Sequence, residues 1–346
     1  MNNELQKLEF DFNKLILHPG FKKTIKDLGN IKVTMSNISS DVDIDYSGSV
    51  FSKDGAVVVD KKKITKIRLD PSNGNKLINN PFSVFGYDES IDRFDSLEGI
   101  AFSAAHTIVL LEGNDYLPAS YLTFYFYTKS QIIHKKSEYI KISSEIDRDS
   151  KIDFIQDKIK FLQETIPENS ILLIDGPLIA GDVYTYFIKP VIEMSKNRII
   201  PIFFIKNSTS NMIVNNIKEY KNNYNSDLHW SYNYLNQAER TCFFQYIDKK
   251  NPKNSKAFCY LKAFNISPQR VEFHLDTYNR YLNIIPSLMD MIYYFIIVQG
   301  DQRNPQVRPI AVAEKFARAA LKLVNIHNRL KTLGIVPTMN QKRFGW

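Results

Sequence analysis

The chain has only two cysteines in 346 residues, Cys242 and Cys259. That is too few for a disulfide framework, and no Cys-x-x-Cys pair or Cys/His cluster offers a zinc site. A reducing cytoplasm is the expected compartment. Glycine is also scarce, with 13 residues and none clustered. No GxxxxGK[ST] loop is present to cradle phosphates, which argues against nucleotide binding by this chain and against a phosphotransferase. Long apolar runs are missing too. The most apolar stretch, 284–298, is interrupted by Pro286, Ser287 and Asp290. A bilayer span needs about 20 apolar residues, so this stretch reads as a core helix. The opening MNNELQKLEFDF mixes acids and bases, unlike a secretory signal. A soluble protein with no membrane association is expected.

What is present is basic and amply apolar. Lys plus Arg number 45 against 37 Asp plus Glu, a net charge of +8. Spread over this length, the excess is a moderate pointer to a polyanionic partner. Hydrophobic residues make up 44%, enough for two domain-sized units or one α/β domain with insertions.

The chain is organised around SILLIDGPL, 170–178. Four apolar residues run into Asp175, and Gly176-Pro177 end the run. This is the pattern of a strand buried on both faces. An aspartate at the carboxyl end of such a strand stands where open α/β sheets hold their ligands, although Asp175 could also simply begin an Asp-Gly turn.

Taken in order, residues 1–40 read as a helical lead-in. Residues 41–335 read as one domain with insertions at about 70–120 and 207–257, and 336–346 as a tail. In SSDVDIDYSGSVF, Val42, Ile44 and Tyr46 alternate with Asp43, Asp45 and Ser47, the period of a strand. AVVVD (56–60) and KITKIRL (63–69) follow as further strands around the Lys61–Lys63 turn. Residues 92–111 read as a helix, with Leu97, Ile100, Ala101, Ala104, Ala105 and Ile108 on one side and with Glu98 and His106 aboard. His106 reads as a packing residue rather than a ligand. YLTFYFYT (121–128) and EYIKISS (138–144) are strands by content. Residues 150–166 form an amphipathic helix, with Asp153 at the border of its apolar stripe and Asp157 on the solvated side. A helix over 183–196 leads to the buried strand RIIPIFFIK (198–206). Residues 207–257 read as helices and loops of an accessory lobe, AFCYLKAF (257–264) and RVEFHLD (270–276) as paired strands, and 309–333 as a long basic helix.

Three strands, a helix, then a strand ending in Asp is the order of an RNase H-like core: an α/β fold with a mixed sheet flanked by helices. Such a core sets a first-strand Asp beside a fourth-strand Asp. Converging carboxylates suit hard divalent ions, and two ions can clamp the attacking and leaving oxygens of a phosphodiester. Asp45 and Asp175 are the expected anchors. Asp153 is the expected third acid, Glu98 its rival, and Glu314 could complete the set.

Ile174-Asp175-Gly176-Pro177-Leu178 resembles the second aspartate motif of the NurA nucleases. RIIPIFFIK, the pair AFCYLKAF and RVEFHLD, and VRPIAVAEKFARAA (307–320) resemble later segments of that family in the same order. The resemblance is clear over 170–325 and holds in outline over 40–160. It implies a manganese- or magnesium-dependent deoxyribonuclease with two ions, acting on DNA as a homodimer with a hexameric HerA-type ATPase, in end processing, repair or antiviral defence. It implies Tyr260 as an active-site tyrosine, although a core tyrosine would serve the pattern equally well. From the residues themselves, Lys206, Lys262, Arg308, Lys315 and Arg318 are the expected DNA contacts, with Lys206 equally able simply to cap its strand. The chain departs from the family at Asp45, which Tyr46-Ser47-Gly48-Ser49 follow in place of Gly-Ser. It departs again at Glu314, where the family has a histidine. A catalytically impaired DNA-binding subunit of the same complex is therefore the second reading.

Overall fold

The computed structural model describes residues 55–59, 64–78, 82–130, 139–179, 182–248 and 251–338. The expected lead-in helix and the strand carrying Asp45 lie outside them. The described strands are β1 (Gly55–Val59), β2 (Lys66–Arg68), β3 (Ser83–Asp95), β4 (Ile100–Glu112), β5 (Asp115–Thr128) and β6 (Ile140–Ile142). They continue with β7 (Ser170–Asp175), β8 (Ile199–Ile205), β9 (Glu239–Thr241), β10 (Phe244–Asp248), β11 (Lys256–Lys262) and β12 (Gln269–His274). One sheet joins them in the order β1-β10-β11-β12-β8-β7-β3-β4-β5-β6, with β9 bridging β2 and β11. The helices that bear on the site are α1 (Pro71–Ile78), α2 (Ile146–Thr165), α3 (Ile188–Lys196), α4 (Asp227–Tyr234), α5 (Ile285–Gln299), α6 (Arg308–Val324) and α7 (Ile326–Thr332). Among the described residues, no helix is long and apolar enough to cross a membrane.

The centre of the sheet is an antiparallel meander, β3-β4-β5, to which β7 adds parallel to β3 and β8 parallel to β7. This is the RNase H-like order. Its first strand is β3, within the stretch read from the sequence as an insertion. The helix expected over 92–111 is instead the end of β3, a hairpin and β4. β4 is central and buried on both faces, so its apolar residues run on with no two-residue alternation and happen to match a helical spacing as well. The strands expected around Lys61–Lys63 do not pair with each other: β1 pairs β10 and β2 pairs β9. The stretch 207–257 also contributes β9 and β10 to the sheet.

Two apolar layers flank the sheet. α2 and α3 cover one face through Phe85, Tyr87, Ile155, Leu162, Leu172, Ile174, Val191 and Phe203. α5 and the start of α6 cover the other through Val84, Ile171, Leu173, Phe204, Leu288, Ile292 and Ile310. Gly86 sets how closely α6 approaches. A Cβ there would come within 2.4 Å of the Pro309 carbonyl carbon. Only glycine lets the first turn of α6 lie directly on β3. The long basic helix expected over 309–333 breaks at Asn325, which takes a left-handed φ of 45° before α7.

Candidate active site

Side chains alternate across a strand, so the register fixes which acids can meet. The β3–β7 ladder ends at Tyr87 opposite Ile174. The next residue on each strand is an aspartate, Asp88 and Asp175. Tyr87 and Ile174 face α2 and α3, so the two aspartates face the other way. They share that face with Val84 and Leu173, in the layer under α5 and α6.

β7 ends where Gly176 takes a φ of +96° and donates its N–H to the Phe204 carbonyl, 2.8 Å away. This turn leaves Asp175 at the sheet's edge, partly exposed. Lys206, just past β8, brings Nζ to 3.2 Å from Asp175 Oδ2 and 3.9 Å from Glu314 Oε2. Glu314, on the second turn of α6, also accepts from Gln306 Nε2 at 2.9 Å and pairs with Arg318. Asp88 is 6% exposed, and its Oδ1 accepts the Glu89 N–H at 2.7 Å. Burial first, then the charges of Asp175 and Glu89, push the Asp88 carboxyl up to about 8, against the lowering effect of the Glu89 N–H and Lys206. Burial, more than any neighbouring charge, therefore keeps Asp88 from ionising readily.

The structure brings together Asp175, Lys206, Glu314 and Arg318 of the residues singled out from sequence, and adds Asp88. Asp45 lies outside the described residues. Asp153 is elsewhere: it accepts from Tyr127 and Lys141. In the ladders Asp88 pairs Thr107, and Thr107 pairs Ser120 of β5. Tyr125 and Tyr127 are odd steps from Ser120, so they and Asp153 stand on the opposite face of the sheet from Asp88. Asp157 accepts from Tyr125 at 3.0 Å and is buried rather than solvated. Glu98 sits in the β3–β4 hairpin, where it accepts the Val336 N–H. It lies past the end of β3, which is itself roughly 23 Å from Asp88 at ~3.3 Å per residue.

Tyr260 is fully buried and donates to Asp227 Oδ2 at 2.9 Å, a core position rather than a cleft one. Lys262 is buried as well, and its ammonium is engaged within the fold by the Tyr232 and Leu235 carbonyls. The Arg308 guanidinium lies 5.5 Å from the centre of the Tyr116 ring, whereas Lys315 and Arg318 are exposed on α6. His106 is buried with Nδ1 2.7 Å from the Tyr87 hydroxyl, and burial followed by the charge of Lys158 lowers it to about 3. It is the packing residue expected.

Asp88 is the residue sequence reasoning missed. Its signal is present all the same: in FSVFGYD an apolar run ends in aspartate, as in SILLID. The regular alternation around Asp45 drew the first strand of the core to that stretch instead.

An RNase H-like sheet with two adjacent acids on its first and fourth strands defines the class: an α/β protein of RNase H-like fold. The NurA domain family model matches residues 127–318, more than half of the chain. The chain belongs to that family, which places it among the nucleases. No curated protein matches it. Among solved structures, it is similar to the NurA nuclease from Sulfolobus solfataricus, with 9% identity and a TM-score of 0.47 over 78% of this chain and 88% of that one. It is also similar to endonuclease V from Ciona intestinalis in complex with a 24mer DNA, with 14% identity and a TM-score of 0.37 over 74% and 95%. A third is NurA bound to dAMP and manganese, with 9% identity and a TM-score of 0.29 over 70% and 88%.

Proposed function

We propose that the protein is a divalent-metal-dependent DNA nuclease that hydrolyses phosphodiesters in the cleft of Asp88, Asp175 and Glu314. The observation that carries this reading is the adjacency of Asp88 and Asp175 on one sheet face, with the Asp88 carboxyl raised by burial and by its neighbour's charge. Among the described residues, no group of three or more His, Cys, Asp or Glu stands ready to hold a metal ion. The donor set still fits one: two hard carboxyl groups are adjacent, the buried Asp88 would regain its ionised form beside a bound cation, and a third carboxylate is held nearby through Lys206. Mn²⁺ or Mg²⁺ bound there would supply a Lewis acid for the phosphoryl oxygen and an activated water.

The chain's own residues do the rest. Asp88 and Asp175 would hold the ion and fix its place against the sheet. Lys206, between Asp175 and Glu314, offers an ammonium to a non-bridging phosphate oxygen. Glu314 orients Lys206, and Arg318 and Lys315 present positive charge to the strand along α6. DNA as substrate, homodimerisation and a HerA-type hexameric ATPase as partner belong to the same reading, supported by family membership and the basic surface of α6. Incubating the purified protein with linear DNA and Mn²⁺, alone and with a HerA-type ATPase, tests it. Cleavage that Asp88→Asn and Asp175→Asn abolish is the expected result, and metal-independent cleavage by both variants would overturn it.

A further inference from the structure

Outside the cleft, the least expected charges are those buried in the sheet beside it. Glu272 of β12 is fully buried. Its Oε1 meets Lys256 Nζ of β11 and lies 2.9 Å from Arg270 Nε. The Arg270 contact is close but lacks the angle of a directed hydrogen bond. Burial alone would raise the Glu272 carboxyl, yet Lys256 and Arg270 hold it below its usual range. Its other oxygen, Oε2, accepts the Leu178 N–H at 3.1 Å, across 94 residues of sequence. Leu178 lies three residues after Asp175, on the turn that closes β7.

Arg270 reaches the other way. Its Nη1 donates to Ser208 Oγ at 2.7 Å and Ser210 Oγ at 2.6 Å. These serines follow Lys206 by two and four residues. Ser210 Oγ in turn donates to Asp227, which also accepts the N–H groups of Ile213 and Val214 at 2.9 Å each. One buried carboxylate thus ties down the turn after Asp175 directly, and the loop after Lys206 through Arg270. Two cations buried against a single acid are costly to retain for stability alone, because apolar residues of similar volume often do as well or better.

We propose that Glu272 and Arg270 are positioning residues: they fix the spacing of Asp175 and Lys206 from outside the cleft. This rests on the reading of that cleft as the site of cleavage. A misplacement of about 1 Å in a reacting group can cost 10²-fold in rate, so the pair acts on turnover without touching substrate.

The test compares wild type with Glu272→Gln, with Ser208→Ala/Ser210→Ala and with Asp175→Asn, on linear DNA. Each is also melted across a Mn²⁺ titration. The double serine variant removes only two hydroxyls and keeps the buried ion group intact, so it decides the matter if Glu272→Gln does not fold. Expected are a kcat at least tenfold down, an unchanged KM for DNA, and a Mn²⁺ midpoint for thermal stabilisation raised at least fivefold. Ser208→Thr/Ser210→Thr, which keeps the hydroxyls, should restore all three. Wild-type kcat and Mn²⁺ midpoint in the serine variant, with Asp175→Asn inactive, would overturn the positioning role while leaving the cleft in place. Full cleavage by Asp175→Asn would instead overturn the cleft reading itself.

Discussion

Gly86→Ala is a small change with a calculable result. The new methyl would stand 2.4 Å from the Pro309 carbonyl carbon, 2.5 Å from its oxygen and 2.7 Å from its Cβ. Carbon atoms pack at about 3.5–4.0 Å, so α6 must retreat by roughly 1 Å or β3 must bend. Overpacking of this kind costs about 1–3 kcal/mol, which at about 2–4 °C per kcal/mol lowers Tm by roughly 2–12 °C. The same retreat draws Glu314 away from Lys206, and activity should fall about 10²-fold. Thermal melting and cleavage rate per folded molecule, measured on one preparation, read the two effects separately. Wild-type melting would show that α6 is not seated on Gly86. Lower Tm with wild-type turnover would show that α6 carries nothing the reaction needs.

Other perturbations have equally definite outcomes. Asp88→Asn should abolish Mn²⁺-supported cleavage while leaving the metal-free Tm equal or higher, since burial and Asp175 both oppose its ionised form; a large loss of Tm would contradict this. Glu314→Gln should weaken the Mn²⁺ response and slow cleavage, and wild-type rates with a wild-type metal midpoint would make it a bystander. His106 gives a pH signature. Its folded value lies near 3, below the usual 6.5, so the unfolded chain binds the extra proton. Its contribution to stability is full above pH 6.5 and is lost toward pH 3 at about 1.4 kcal/mol per unit. His106→Gln should flatten that decline, and an unaltered acid slope in urea titrations would refute the assignment.

Where an apolar run is bounded by turn residues or keeps a clean period, its sequence pattern matches the structure closely. β7, β8, β11, β12, α2 and α5 are all legible in this way. The failures have a common physical cause. β4 is covered on both sides, so the two-residue period that would mark it as a strand does not survive. Pairing partners are non-local: nothing near Gly55–Val59 says that it joins β10 rather than β2. The candidate site is half legible, because the placement of Asp175 at a strand end can be read from its sequence, while Tyr260 and Lys262 owe their burial to neighbours distant in sequence.

After α7 the chain turns back to the β3–β4 hairpin. The Val336 carbonyl accepts the Leu97 N–H at 2.9 Å, Thr338 donates its N–H to the Asp95 carbonyl at 3.0 Å, and His327 meets Asp92 at 2.8 Å. α6 is therefore anchored at both ends, by Pro309 on Gly86 and by this returning strap. A helix fixed twice transmits movement along its length like a lever. Shortening the chain after Val324 would release the far anchor, and its effect would be felt at Glu314, close to the near one.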